Sequence, residues 1–275
     1  MQNNKVTSSL LSWYSKEKRI LPFRDIDNPY KIWLSEVMLQ QTQVETVIPY
    51  FERWIKKYPT LESVANEEQE SLLKMWEGLG YYSRCRNFHK ATQVVVEKHC
   101  GIIPDNWDGF HALPGVGDYT ASAVLSIAFQ QPYPVIDGNV KRVFARILGL
   151  KKLTTRNMSR MKNHLNNIIS KENPRDFNQS VMELGARVCK PSNPNCGQCP
   201  ISFKCKAFGY GDPEAYPTFI KKKTPPNYTI VAGIVWRGEK FYIQKRGEKK
   251  MLAGLWEFPG GKAEKGESLE DALQR

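Results

Sequence analysis

The sequence predicts a mainly α-helical fold to about residue 206, followed by a short α/β segment. Three observations lead there. Apolar residues recur at three- and four-residue spacing through one segment after another, with no convincing two-residue alternation among them. Gly78, Gly80, Gly101, Pro104, Pro132 and Pro134 punctuate those segments. After a stretch rich in glycine, proline and lysine, "YTIVAGIVW" and "KFYIQKR" read as strands joined by the short turn "RGE".

In chain order, "NPYKIWLSEVMLQQTQVETVIPYFERWIKKYP" carries the helical spacing up to Pro59. "ESLLKMW", "NFHKATQVVVEKHC", "YTASAVLSIAF", "NVKRVFARILGL" and "MSRMKNHLNNII" read as further helices. Residues 207–227, "AFGYGDPEAYPTFIKKKTPPN", have the composition of a linker. The last segment reads as a helix that reaches Arg275, so a longer protein is expected. No internal repeat with a fixed period is found. The first twenty residues hold no continuous apolar stretch with a small-residue cleavage site, and no apolar run reaches membrane-spanning length.

At 275 residues the chain can bury a sizeable core, in one large domain or two modest ones. Its net charge of +12 suits a polyanion partner, since lysines and arginines on one face displace phosphate counterions. A solubilising surface is the alternative. Four of the six cysteines fall within seventeen residues, "CKPSNPNCGQCPISFKC". Cys189, Cys196, Cys199 and Cys205 follow the spacing C-x6-C-x2-C-x5-C, compact enough for four thiolates to ligate one metal centre. A disulfide framework would spread its cysteines and accompany export. Thiolate chemistry alone admits either zinc or an iron–sulfur cluster. Cys85 and Cys100 lie apart and read as ordinary thiols.

Candidate chemistry sits in four other places. In "LPGVG", Gly115, Val116 and Gly117 form a turn entering a helix, where backbone N–H groups could approach a phosphate, or simply connect two helices. Asp137, twenty residues beyond Gly117, precedes a predicted helix and would cap it. Only one helix separates it from the glycine turn, so its carboxylate could also stabilise positive charge there. Glu36 lies in the middle of "WLSEVMLQQTQV". A mid-helix glutamate is ordinarily exposed; buried, it would gain the raised pKa of a general acid. Gln40, Gln41 and Gln43 offer amide groups suited to base edges, or a solvated helix face. In "GLGYYSRCRN", two glycines and the aromatic rings of Tyr81 and Tyr82 accompany Arg84 and Arg86; rings that can wedge into a base stack beside phosphate-neutralising cations suit duplex distortion, or a packed turn with surface arginines.

Taken together, "WLSEVMLQQTQV", "GLGYYSR", "LPGVG…TA", "DGNVKRV" and the four-cysteine loop resemble the helix–hairpin–helix DNA glycosylases with an iron–sulfur cluster, nearest the adenine DNA glycosylases of the MutY type. The resemblance spans roughly residues 5–206. It implies a two-lobed helix–hairpin–helix glycosylase fold, with a six-helix domain over 27–132 and a cluster domain over 1–26 and 133–206. It implies one [4Fe–4S] cluster on Cys189, Cys196, Cys199 and Cys205. The implied substrate is adenine mispaired with 8-oxoguanine or guanine in duplex DNA, handled by a monomer in a bacterial cytoplasm. Glu36 matches the acid that protonates adenine N7. Asp137 matches the carboxylate that stabilises the oxocarbenium-like sugar, with Tyr119 and Asn139 as supporting residues. Gln41 matches the residue placed near the vacated base, Leu79 and Tyr81 the wedge loop, and Arg24 and Glu183 the adenine pocket. A bifunctional glycosylase–lyase resembling endonuclease III would carry lysine at the position of Tyr119. A non-catalytic, cluster-bearing DNA-binding module would have no need of both Glu36 and Asp137. Residues 228–275 resemble a truncated Nudix-like α/β domain. Gly261, Glu267 and Arg275 fit the start of a true Nudix box, but the chain ends before the paired glutamates, so no nucleotide hydrolysis is expected.

Overall fold

The computed structural model describes residues 2–218, 226–247 and 254–275. The chain forms two units, residues 1–219 and 220–275. The first is helical: α1 (Gln2–Glu17), α2 (Pro29–Leu39), α3 (Val44–Lys57), α4 (Leu61–Ala65), α5 (Gln69–Trp76), α6 (Ser83–His99), α7 (Trp107–His111), α8 (Asp118–Phe129), α9 (Gly138–Leu148), α10 (Thr155–Ile168), α11 (Pro174–Arg187) and α12 (Lys206–Gly209). Several starts are written in the sequence. Asn28 caps α2 just before Pro29, Asn106 caps α7, and Thr154 caps α10, each side chain accepting a backbone N–H of the first turn.

Two apolar cores hold this unit. One gathers Trp33, Trp54, Trp76, Phe88 and Phe110 from α2 and α3 and α5 to α7. The other gathers Leu10, Phe144, Leu165, Phe177 and Leu184 from α1 and α9 to α11. Fully burying each such side chain contributes roughly 1.5–3 kcal/mol. Leu21 and Phe23, although early in the chain, pack into the first core. A small cluster of Ile32, Ala123, Ile127 and Val135 joins α2, α8 and the irregular segment before α9.

Two expectations are corrected. The helical pattern from Asn28 to Pro59 is broken into α2 and α3, with Gln41 in the left-handed region at φ +59°. The break falls where three glutamines and a threonine offer no apolar anchor, and where Arg84 takes the carbonyls of Val37, Met38 and Gln40. The linker expected from residue 207 does not begin there. Ala207 and Tyr216 are buried, Arg146 Nε donates to Tyr216 O (3.0 Å), and Thr218 N donates to Lys151 O (2.8 Å). Residues 219–225, the rest of the expected linker's lysine run, lie outside the described residues.

The second unit contains antiparallel pairs. β1 (Ile230–Ala232) pairs with β6 (Gly260–Lys262), β2 (Trp236–Arg237) with β3 (Lys240–Phe241), and β4 (Gln244–Lys245) with β5 (Trp256–Glu257). The "RGE" turn joins β2 to β3. Gly260 is required: a Cβ there would sit 2.1 Å from the Val231 carbonyl oxygen. α13 (Leu269–Gln274), capped by Ser268, packs on β1 and β6. Arg275 pairs with Glu267 through Nε and Nη2, both at 3.0 Å, and Nη2 also donates to Lys262 O. Among the described residues, no helix is long and apolar enough to cross a membrane.

Candidate active site

Glu36 sits in the middle of α2, a helix that is apolar on nearly every side because α3, α6 and α8 pack around it. The side chain is therefore buried, only 6% exposed. Tyr119, in the first turn of α8, donates its hydroxyl to Glu36 Oε2 at 2.6 Å. Burial pushes the Glu36 carboxyl up to about 7; the Tyr119 hydrogen bond opposes that rise and the nearby Asp137 charge adds to it. Burial beside Glu36 also raises the Tyr119 phenol well above its ordinary value, so it stays protonated.

Asp137 is the N-cap of α9, as its position suggested. Its Oδ1 accepts the Val140 N–H at 2.6 Å, and its Oδ2 accepts the Asn139 amide at 3.1 Å. Burial raises this carboxyl too, against the two hydrogen bonds and the Arg142 charge. Asn139 is held in turn by Arg142, whose Nη2 donates to Asn139 Oδ1 (2.8 Å) and Gly185 O (2.7 Å). A Cβ at Gly185 would stand 2.5 Å from Asn139 Cβ, so glycine there makes room for Asn139.

Glu183 on α11 is fully buried between two arginines. Arg19 Nε donates to Oε1 at 2.8 Å, and Arg24 Nη2 donates to Oε2 at 2.6 Å. Burial works against ionisation here, but the two guanidinium groups prevail and hold the carboxyl below its ordinary value. Arg24, Glu36, Tyr119, Asp137, Asn139 and Glu183 thus line one cavity of about 150 Å³. It holds a carboxyl raised to about 7, which keeps a protonated fraction at neutral pH, a second carboxyl group, and a wall of fixed donors and acceptors. Arg19 also lines the cavity and Arg142 holds Asn139 from behind it; neither was anticipated. Arg142 could have been read from its position three residues after Asn139 on a helix, whereas nothing local marks Arg19.

The loop residues divide. Gln41 is exposed, and Tyr81 is 56% exposed at φ +46°; both stand out on left-handed backbone. Leu79 instead is buried in the first core, and so anchors the loop rather than projecting from it. Arg84 is also corrected: its guanidinium is buried and faces backbone carbonyls rather than solvent. The two glycines of the α7–α8 hairpin differ as well. Gly115 has φ +74°, and a Cβ there would meet Asn87 Cβ at 2.5 Å, so the fold itself requires it. Val116 is buried beneath the turn. Gly117 caps α8 with extended backbone, has open space where a Cβ would be, and leaves the helix start without a side-chain cap.

Cys189, Cys196, Cys199 and Cys205 surround one small cavity, together with Arg146, Pro194 and Phe208. None is in a disulfide. Burial raises the Cys199 thiol to about 12, with the other three cysteines adding to the shift. Arg146 Nη1 lies 3.3 Å from Cys189 Sγ and 2.6 Å from Lys190 O. Four soft donors around one apolar hollow, with a fixed cation beside them, fit a thiophilic metal centre. Among the described residues, no three His, Cys, Asp or Glu side chains already stand in position to hold a metal ion.

Residues 34–171 match the HhH-GPD superfamily of base excision DNA repair proteins, and residues 231–275 match the NUDIX domain family. The chain is 35% identical to an adenine DNA glycosylase of Arabidopsis thaliana, over 94% of this chain and 48% of that protein. It is 36% identical to an adenine DNA glycosylase of Buchnera aphidicola from Acyrthosiphon pisum, over 91% of this chain and 72% of that one. The chain spans about half the length of the first of these curated relatives. Among solved structures, a thermostable thymine-DNA glycosylase superposes with a TM-score of 0.70 at 26% identity, covering 76% of this chain and 98% of the other.

Proposed function

Because this chain belongs to the adenine DNA glycosylases of the HhH-GPD superfamily, we propose that its first unit flips adenine out of duplex DNA, where it faces 8-oxoguanine or guanine, and removes it hydrolytically. The observation that carries this reading is the shared cavity: Glu36 hydrogen-bonded to Tyr119, with Asp137 in the same wall. A base inside the stack hides its glycosidic bond, so it must leave the duplex first. Glu36, protonated near neutrality, then gives its proton to adenine N7 and makes the base a better leaving group. Asp137 stays ionised against the sugar and stabilises the oxocarbenium-like cation as the bond breaks. Asn139, itself held by Arg142, orients that carboxylate. Glu183, with both oxygens taken by Arg19 and Arg24, fixes those two guanidinium groups in the wall of the base pocket.

The enzyme acts without a lyase step. A lyase needs an amine to form a Schiff base with the opened sugar, and the phenol of Tyr119 cannot supply one. Water is therefore the final nucleophile. Cys189, Cys196, Cys199 and Cys205 would hold one [4Fe–4S] cluster, which when bound cross-links the 189–205 loop. Arg142 ties that loop to the catalytic wall, since its Nε donates to Cys189 O at 2.8 Å while its Nη2 reaches Asn139. The two cores support two lobes, 27–132 and 1–26 with 133–206, Leu21 and Phe23 reaching across to the first. Gln41 and Tyr81 enter the duplex, and the hairpin at Gly115–Gly117 meets a phosphate. The protein acts as a monomer on chromosomal DNA in the cytoplasm.

Single-turnover adenine release from an A:8-oxoguanine duplex tests this directly. Glu36→Gln keeps the shape but cannot donate a strongly acidic proton, so release should fall by at least about a hundredfold with DNA binding retained. Near-unchanged release by this variant would remove Glu36 from the acid's role.

A further inference from the structure

Arg84 is a buried cation, 8% exposed, with no carboxylate partner among the described residues. Its hydrogen bonds go to two separate segments. Nη1 reaches the carbonyls of Val37 (3.0 Å), Met38 (2.8 Å) and Gln40 (2.6 Å), at the end of α2. Nη2 reaches Thr42 Oγ1 (3.2 Å) and the carbonyls of Leu79 and Gly80 (3.1 Å each). The Trp76 and Tyr81 rings flank the guanidinium at 5.4 and 5.5 Å. Nε is buried with no hydrogen-bond partner among the described residues. Burying a cation against neutral acceptors is costly, and a residue serving only the core could have been apolar.

What these acceptors share is their neighbours. Gln40 O and Thr42 Oγ1 bracket Gln41, and Leu79 O and Gly80 O immediately precede Tyr81. Gln41 and Tyr81 are the two exposed residues here on left-handed backbone, a conformation unfavourable for a side-chain-bearing residue and held only where surrounding contacts offset its cost. The carbonyls that Arg84 takes lie at a helix end and in a turn, where the backbone ladder does not serve them; Gly80 O also accepts from Trp76 Nε1 at 3.1 Å, and Gln40 O from Thr42 Oγ1 at 3.5 Å. A second tie acts in the same direction: Gln40 Nε2 donates to Thr120 Oγ1 at 2.9 Å, next to Tyr119.

We propose that Arg84 is a positioning residue: one guanidinium binds the end of α2 to the 77–82 loop, so that Gln41 and Tyr81 meet the duplex as a single rigid two-pronged element. This rests on the reading that the first unit acts on a base in duplex DNA. Opening a stack costs a few kcal/mol, and prongs that yield under load cannot supply it. Lysine keeps the charge but cannot span both sets of carbonyls.

The test is single-turnover adenine release by the whole chain from two duplexes. One is fully stacked with A:8-oxoguanine; the other carries an abasic analogue opposite adenine, so the base is already unpaired. Relative to the unaltered protein, Arg84→Lys should lose at least about tenfold on the stacked duplex and about twofold or less on the unpaired one. 2-Aminopurine beside the target should show a matching loss of unstacking on binding. Thr42→Val removes one acceptor from a half-buried site and should show the same split in smaller measure, which covers the case in which Arg84→Lys does not fold. Equal losses on both duplexes, or no loss on the stacked one, would overturn the proposal, since a merely destabilised protein loses active fraction alike on both. If the unaltered protein releases adenine from neither duplex, the glycosylase reading fails instead.

Discussion

At the residue scale, Glu36 carries two opposed demands. Its carboxyl is raised to about 7 because it is buried, which makes it an acid near neutrality and a growing burden on the fold as pH rises towards that value. A carboxyl raised in the folded state costs nothing where it is protonated in both states. The cost appears as pH climbs past the unfolded value of 4.5 and is complete above about 7. Glu36→Gln should therefore stabilise the protein by an amount on the order of 2 kcal/mol at pH 8 and by almost nothing at pH 4.5, read from denaturant unfolding at the two pH values. A gain at low pH instead would contradict a buried, raised carboxyl. Tyr119 tunes the same group. Its hydroxyl favours the ionised form, so Tyr119→Phe should move the alkaline limb of the adenine-release profile, set near 7 by Glu36, to higher pH. The acid limb, set by protonation of the also-raised Asp137, should stay in place. A limb that moves down would mean that the phenol does not donate to Glu36.

At the scale of elements, the α7–α8 hairpin separates glycine needed by the fold from glycine needed by a ligand. Gly115 has a positive φ and Asn87 against it, so Gly115→Ala should cost about 2 kcal/mol or more in stability. Gly117 has neither constraint, so Gly117→Ala should change stability by no more than about 0.5 kcal/mol. If a phosphate docks at the start of α8, the same change should weaken duplex binding by about tenfold. Unchanged binding by a well-folded Gly117→Ala protein would leave the hairpin a plain helix connection. The sequence made this hairpin visible, along with α8 and α9, because their glycines and apolar spacing are local signals. The break between α2 and α3 was hidden, because an arginine more than forty residues away takes the carbonyls that end α2. For the same reason Arg84 read as a surface cation: a sequence shows the charge of a guanidinium but not the acceptors that packing brings to it.

At the scale of the molecule, Glu36, Tyr119 and Asp137 come from three elements far apart in the chain, and their shared cavity follows from how the two cores meet. The sequence named those residues through motifs in a recognisable order, but distance, burial and the Arg19–Glu183–Arg24 arrangement exist only once α1 and α11 pack. Composition misled at residues 207–218, where glycine and proline suggest a linker while Ala207 and Tyr216 find buried places on the first unit. The second unit matches a NUDIX domain over 231–275. If such a domain reads the base opposite adenine, removing residues 228–275 should weaken the preference for A:8-oxoguanine over A:guanine. Equal discrimination would place lesion reading in the first unit. The central claim is tested most directly by mass spectrometry of the base released from an A:8-oxoguanine duplex, with the DNA strand followed on a denaturing gel and borohydride present in a parallel reaction. Free adenine, an intact strand with an abasic site and negligible trapped complex are the results expected. Strand cleavage with efficient trapping, by a preparation free of contaminating lyases, would contradict a hydrolytic glycosylase with tyrosine at position 119.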